Sequence, residues 1–324
     1  MIKDNKIVSV QYLRGLAALG VVFCHYGSSL EAHPILSSFF SFGQTGVSVF
    51  FLISGFIIVY SLSESNYRPH QFFTFLLKRS IRIDPSYYVA ILLTLLLFAI
   101  LSHIPSYKGN PISFIPGQFV AHLLYIVPFK KFDFYDHVFW TLCVEFQFYL
   151  LIGILYFLSD SNIYKMLFLV LFSLTTLIPF SNSYYLIFNY APIFATGISL
   201  INFYKKRNWS NSMLPFFLLV LVGYKFGLIT LILLVASSCV LLYFTTFIKP
   251  FFFLGAISYS LYLTHDLVLV VTGGILKRLQ VDTNQNSLFW LLFEVLSAIL
   301  VAYVFYILVE KRSLKWSKRI FYRN

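Results

Sequence analysis

The chain has 324 residues, of which 59% are hydrophobic, 20% aromatic and only 11% charged, with a formal net charge of +12. An ordinary water-soluble domain is about 25% charged, so that class is excluded. The three cysteines, Cys24, Cys143 and Cys239, all fall inside apolar runs without ligand spacing, which excludes a disulfide framework or a cysteine zinc site.

What remains is an all-α, polytopic membrane protein. Residues 1–7 are short and polar, and no small-residue cleavage site follows the first apolar run, so that run reads as a retained helix. In chain order the apolar runs predict ten helices: 8–27, 44–63, 83–102, 139–158, 165–180, 184–203, 213–224, 227–247, 251–273 and 288–309. A hydrocarbon core needs about 20 mostly apolar residues, and YYVAILLTLLLFAIL (87–101) and LITLILLVASSCVLLYF (228–244) are of that kind. The seventh is the shortest, closed by the glycines of GYKFG (223–227). Pro85, Pro179, Pro192 and Pro250 are expected at or near helix ends.

Cation placement gives the orientation. With the N-terminus in the cytoplasm, the cytoplasmic segments hold seventeen Lys and Arg and the outer loops six, with Arg14 the remaining one. The positive-inside rule therefore favours ten spans with both termini cytoplasmic. The positive charge needs no nucleic acid. It is a topogenic signal plus attraction to anionic membrane lipids, as in the tail KRSLKWSKRIFYR (311–323). The predicted organisation is one transmembrane domain over 1–310 and a basic cytoplasmic tail over 311–324. The longest loop, 103–138, faces outward with Asp133 and Asp136, and is a candidate wall for an acceptor site.

Ionisable groups inside spans are functional candidates by default. YLRGLAALGVVFCH (12–25) places Arg14 and His25 eleven residues apart, about three helical turns and roughly 16 Å along one face. Arg14, Arg79 and Arg82 form a predicted cytoplasmic layer. His25, Glu145, His265, Asp266 and Glu294 form a predicted outer acid–base layer, with Asp84 at an interface. Arg79 and Arg82 admit two readings, topogenic cations or a fork for phosphate. His265 and Asp266 are either a buried structural pair or part of the site, and Glu294 is either a site acid or the partner of a hydroxyl or amide.

The chain resembles the acyltransferase-3 family of integral membrane acyltransferases. The carriers are YLRGLAALGVVFCH (12–25), GVSVFFLISGFII (46–58), RSIRIDPSYY (79–88), FWTLCVEFQFY (139–149) and ISYSLYLTHDLV (257–268). The resemblance implies an O-acyltransferase, acetyl being the commonest group. The acyl group comes from cytoplasmic acyl-coenzyme A, such as acetyl-CoA, and ends on a hydroxyl of a cell-surface or lipid-linked glycan, such as O-antigen or exopolysaccharide. It implies a bacterial cytoplasmic (inner) membrane, no bound cofactor and no metal. It marks His25 and Glu145 as catalytic, with Glu145 orienting the imidazole or stabilising its protonated form. Arg14, Arg79 and Arg82 would bind acyl-CoA, and His265, Asp266, Trp140, Tyr149 and Tyr262 would support the site or its acceptor side. Some relatives carry an additional esterase-like domain, whereas only a short basic tail follows residue 309 here. The rival class, a transporter or flippase, would commonly carry inverted repeats with interrupted helices, and the sequence has no internal repeat.

Overall fold

The computed structural model describes residues 2–27, 30, 33–104, 112–157, 162–180, 182–206, 213–281 and 287–322. Of the cations counted above, Lys3, Lys6, Lys108, Lys206, Arg207 and Arg323 fall outside the described side chains. Each of the ten predicted helices has a counterpart. In chain order the α-helices are α1 (Ile2–Gly27), α2 (Pro34–Ser41), α3 (Gly46–Glu64), α4 (Phe72–Ser102), α5 (Pro116–Leu123), α6 (Trp140–Leu155), α7 (Asn162–Leu174), α8 (Ile187–Lys206), α9 (Met213–Phe226), α10 (Leu228–Tyr243), α11 (Lys249–Arg278), α12 (Ser287–Phe305) and α13 (Lys311–Ser317). Among the described residues, seven helices are long and apolar enough to cross a membrane, whereas 162–177, α9 and α10 are shorter apolar helices.

The largest departure from expectation is α4. It begins at Phe72 rather than near 83, so Arg79 and Arg82 sit on a helix and not in a loop. Pro85 and Pro192 lie inside α4 and α8. Each lacks one N–H, a loss that neighbouring helices and local side chains absorb in packed membrane helices. Pro250, at the start of α11, is where proline costs nothing. Two short helices in loops, α2 and α5, have too few turns to show a period and were not anticipated.

Side-chain pairings give the relative directions. Tyr12 donates to the Thr246 carbonyl at 2.9 Å while Tyr26 donates to the His265 carbonyl at 2.7 Å, so α1 and the start of α11 ascend together. In α3 and α8, Phe51 packs on Tyr190 while Phe56 packs on Tyr204, again parallel. In α4 and α6, Phe75 meets Tyr149 while Tyr87 meets Phe139, which is antiparallel. Ser317 and Ser313 donate to the carbonyls of Lys78 and Arg82, so α13 descends along α4.

The outward face is apolar. Leu292, Leu296 and Leu300 on α12 and Leu92, Leu96 and Ile100 on α4 recur every four residues and are each more than half exposed. In water each would forgo about 1.5–3 kcal/mol of burial. Hydrocarbon removes that penalty, and the stripes mark the lipid-facing surface.

The segment between α4 and α6 is ordered, over its described residues, by one histidine. His122 is fully buried, donates through Nδ1 to the Gln118 carbonyl at 2.9 Å and accepts the Tyr135 amide on Nε2 at 3.2 Å. Both nitrogens are thus committed in the neutral form, and burial holds its pKa below the usual histidine range. The clip draws the end of the loop, including Asp136, down onto the bundle.

Candidate functional site

The site is built on the α1–α11 contact. A Cβ on Gly15 would sit 2.8 Å from the Gly255 nitrogen, and one on Gly255 would collide with the Gln11 carbonyl oxygen. Only glycine permits this approach. From Gly15 to His25 is ten residues, as it is from Gly255 to His265. Two parallel helices locked at the glycines therefore bring the two histidines to one height, about 15 Å further along.

There His25 Nδ1 lies 2.8 Å from Asp266 Oδ1. A carboxylate oxygen accepts, so Nδ1 carries the hydrogen and Nε2 is the basic nitrogen. The His265 ring meets the His25 ring edge-on, with centroids 4.9 Å apart. His265 Nδ1 donates to the Tyr262 and Leu261 carbonyls at 2.9 and 3.1 Å. Its Nε2 is buried with no hydrogen-bond partner, 3.5 Å from Asp266 Oδ1. His25, His265 and Asp266 offer donor atoms within 4.8 Å of one another, which makes them the residues able to hold a divalent cation.

Glu145 is not part of this cluster. Thr141, near the start of α6, pairs its hydroxyl with Tyr262 at 2.9 Å. Four residues further, Glu145 is about 6 Å deeper, below the level of His265. It accepts from Ser54 Oγ at 2.8 Å and is hydrogen-bonded to Tyr149. The expected Glu145–His25 pairing is therefore corrected: the carboxylate on His25 is Asp266, and Glu145 belongs to the arginine layer.

Arg14, Arg79 and Arg82 lie close enough to act on one another electrostatically. Arg14 interacts electrostatically with Arg82, Glu310, Glu145 and Tyr149. Arg79 lies over the rings of Phe75 and Tyr149 at 5.6 and 5.8 Å. Arg79, Asp84, Tyr125, Glu145 and Tyr149 line a narrow crevice. Asp84 is not at a helix end but within α4, where it accepts from Tyr125 at 2.8 Å. A larger opening of about 430 Å³ lies between His70, Thr74 and Arg319–Phe321.

The remaining expected residues are peripheral. Tyr262 is buried and tied to Thr141 and the Val138 carbonyl, with its ring 6.0 Å from that of His265. Trp140 packs on Tyr184, Tyr190 and Phe51, away from the histidines. Glu294 accepts from the Thr272 hydroxyl at 3.5 Å. Two acids were missed. Glu310, buried, accepts the Ser260 hydroxyl and amide. In the sequence it is merely the last acid before a basic tail, but a π-helical turn over Tyr306–Glu310 rotates it inward. Asp136 accepts the Val138 amide at 3.1 Å and lies near Asp266.

The family described as an acyltransferase domain matches residues 7–307. The chain is 30% identical over 296 residues to a protein of Acidianus two-tailed virus named "putative acetyltransferase ORF330", covering 82% of this chain and 84% of the relative. No solved structure matches.

Proposed function

Because the chain belongs to the acyltransferase-3 family and is an acyl-transferring enzyme, we propose that it moves an acetyl or similar acyl group from cytoplasmic acyl-CoA to a glycan hydroxyl across a membrane. The single observation carrying this reading is the His25–Asp266 hydrogen bond, set at one end of α1 with the arginine layer some three turns away. Asp266 fixes the tautomer and stabilises the imidazolium, as the carboxylate does in a hydrolytic triad. Nε2 then takes the proton of an acceptor hydroxyl. The hydroxyl oxygen forms a bond to the thioester carbonyl carbon, the carbon–sulfur bond breaks, and the proton passes from His25 to the departing thiolate.

Arg14, Arg79 and Arg82 serve the donor. Coenzyme A is a polyanion, and guanidinium forks suit its phosphates. Glu145 and Glu310, interleaved among them, hold the guanidinium groups in place and limit their mutual repulsion. The opening beside Arg319 is the proposed mouth, with Trp140 on the acceptor side. Trp140 packs on Tyr190 and Phe148 on Phe194, so α8 runs parallel to α6 and antiparallel to α4; the chain must return between α6 and α8 through α7, which supports ten crossings, and the cation asymmetry supports cytoplasmic termini. The glycan class follows the expectation from the family.

The test is release of free thiol from acetyl-CoA by purified protein with a glycan acceptor present. His25→Ala should abolish release while leaving expression and insertion normal. An active His25→Ala enzyme would sink the general-base reading.

A further inference from the structure

His265 holds a lone pair that the chemistry above does not use. Its Nδ1–H is committed to the Tyr262 and Leu261 carbonyls at 2.9 and 3.1 Å, so Nε2 carries no hydrogen and can only accept. Nε2 is sealed from solvent, has no hydrogen-bond partner among the described residues and lies 3.5 Å from Asp266 Oδ1, itself an acceptor. A buried acceptor facing another acceptor is costly unless a positive group comes between them. His25 Nδ1 reaches the same oxygen at 2.8 Å.

Two imidazoles and one carboxylate are the donor set of zinc, not of magnesium or calcium, which take oxygen. Zinc at about 2.0–2.1 Å from each donor keeps the donors roughly 3.3 Å apart. The separations of 2.8 and 3.5 Å from Asp266 Oδ1 bracket that value, and all three donor atoms lie within 4.8 Å of one another. His25 supplies the remaining movement, since its side chain is 32% exposed and has room to pivot. The frame behind it is fixed: the His265 carbonyl accepts from Tyr26 at 2.7 Å, and the Gly15–Gly255 approach locks the two helices below. Carbonyls on the far nitrogen of a histidine set its tautomer, as the outer shell of a metal site does.

We propose that His25, His265 and Asp266 form an inhibitory site for a zinc-class divalent cation, whose binding stops acyl transfer. The inference rests on the general-base reading of His25. The cation takes the Nδ1 lone pair of His25, which requires the other tautomer: the hydrogen leaves Nδ1 for water and one arrives at Nε2. The imidazole stays neutral, but its basic nitrogen is gone. Arg14 lies roughly 16 Å down α1, so the donor side is untouched.

The probe is zinc alone, titrated into the detergent-solubilised full chain after chelator treatment. One zinc per chain is expected, and X-ray absorption should give a shell with two imidazole nitrogens. His265→Gln keeps a donor for the carbonyls but loses the ring nitrogen. It should weaken zinc binding by more than the ~10–100-fold that an outer-shell partner is worth, while Glu294→Gln, not one of the three donors, should bind like the parent. Transfer is followed as labelled acetyl on the acceptor, because zinc also traps the released thiol. It should fall by about the 10²–10⁴-fold that a general base contributes, return with chelator and ignore magnesium, with acetyl-CoA binding unchanged. Substoichiometric zinc, a shell without two imidazoles, or a zinc-loaded enzyme as active as the metal-free one would each overturn the proposal. So would activity that is lost when zinc is stripped, since the ion would then be a cofactor. The shell is read on the parent chain, so the test stands even if His265→Gln does not fold. Failure of the base reading shows separately, as activity of His25→Ala in metal-free buffer.

Discussion

Asp266→Asn tests the centre of the site. In the parent, Nδ1–H of His25 donates to Asp266 at 2.8 Å. The substitution keeps an acceptor oxygen but removes the charge. A hydrogen bond to a charged partner is worth about 1.5–3 kcal/mol and a neutral one about 0.5–1.5 kcal/mol, a difference of roughly 1–2 kcal/mol. That converts to a loss of about 5- to 30-fold in kcat. If the amide nitrogen turns toward Nδ1, the tautomer inverts, Nε2 gains the hydrogen, and the loss grows. Folding should be spared: the His25 side chain is 32% exposed and Asp266 18%, so no sealed-in cation is stranded. Donor affinity should hold too, because Arg14 is roughly 16 Å down α1, beyond the ~10 Å screening length at 0.1 M salt. The assay is thiol release at saturating donor, with acetyl-CoA binding and thermal unfolding measured on the same detergent preparation. A kcat within twofold of the parent, or a donor affinity that falls in step with kcat, would refute the reasoning.

Arg79→Ala or Arg82→Ala should weaken coenzyme A binding by about one to two orders of magnitude, with lysine restoring only part; parent-like binding by both variants would make these arginines topogenic only. Gly255→Val should prevent α1 and α11 from docking and give aggregated material in size-exclusion chromatography, while Gly273→Ala, with open space around its Cβ, should elute like the parent. A well-behaved Gly255→Val protein would contradict the close approach. Because His122 is held neutral, its pKa lies lower in the folded loop than in the unfolded chain, so its contribution is complete above about pH 6.5 and declines as pH falls below that value. Hydrogen exchange over 116–136 should therefore quicken on acidification in the parent but not in His122→Gln, after correction for intrinsic rates; equal profiles would remove His122 as the cause. In intact cells an impermeant maleimide should label Lys131→Cys and spare Lys318→Cys; the reverse pattern would invert the topology.

Which features were legible in the sequence follows from what hydropathy measures. Long apolar runs announce helices, and ionisable groups inside them announce polar chemistry, so Arg14, His25, His265 and Asp266 stood out as candidates, while Arg79 and Arg82 stood out as a pair of cations placed just before a predicted span. Helix starts are harder. FFTFLLKRS (72–80) mixes cations with apolar residues, and nothing in it signals that α4 has already begun at Phe72. Depth is harder still. Glu145 was placed with His25 because both lie in the outer half of their spans, but the Thr141–Tyr262 contact sets α6 about two and a half turns lower relative to α11 than span counting assumes. Asp136 and Glu310 escaped because their roles depend on a loop clip and a π-helical turn. Neither leaves a periodic trace.

The pairing of α1 with α11 also has a consequence for biosynthesis. His25 and Asp266 are 241 positions apart. At ~5–20 residues per second of synthesis, the first helix waits roughly 10–50 s for the one that completes its site. Until Glu145 and Glu310 follow, 131 and 296 positions later, Arg14 sits in a span without them as neighbours, a charge that costs at least ~2.5 kcal/mol near a bilayer centre. A nascent or truncated chain therefore holds the histidine without its carboxylate and the arginine without its counter-charges. On the reading of His25 as a base held by Asp266, premature termination upstream of α11 should yield an inert fragment, not a weakened enzyme.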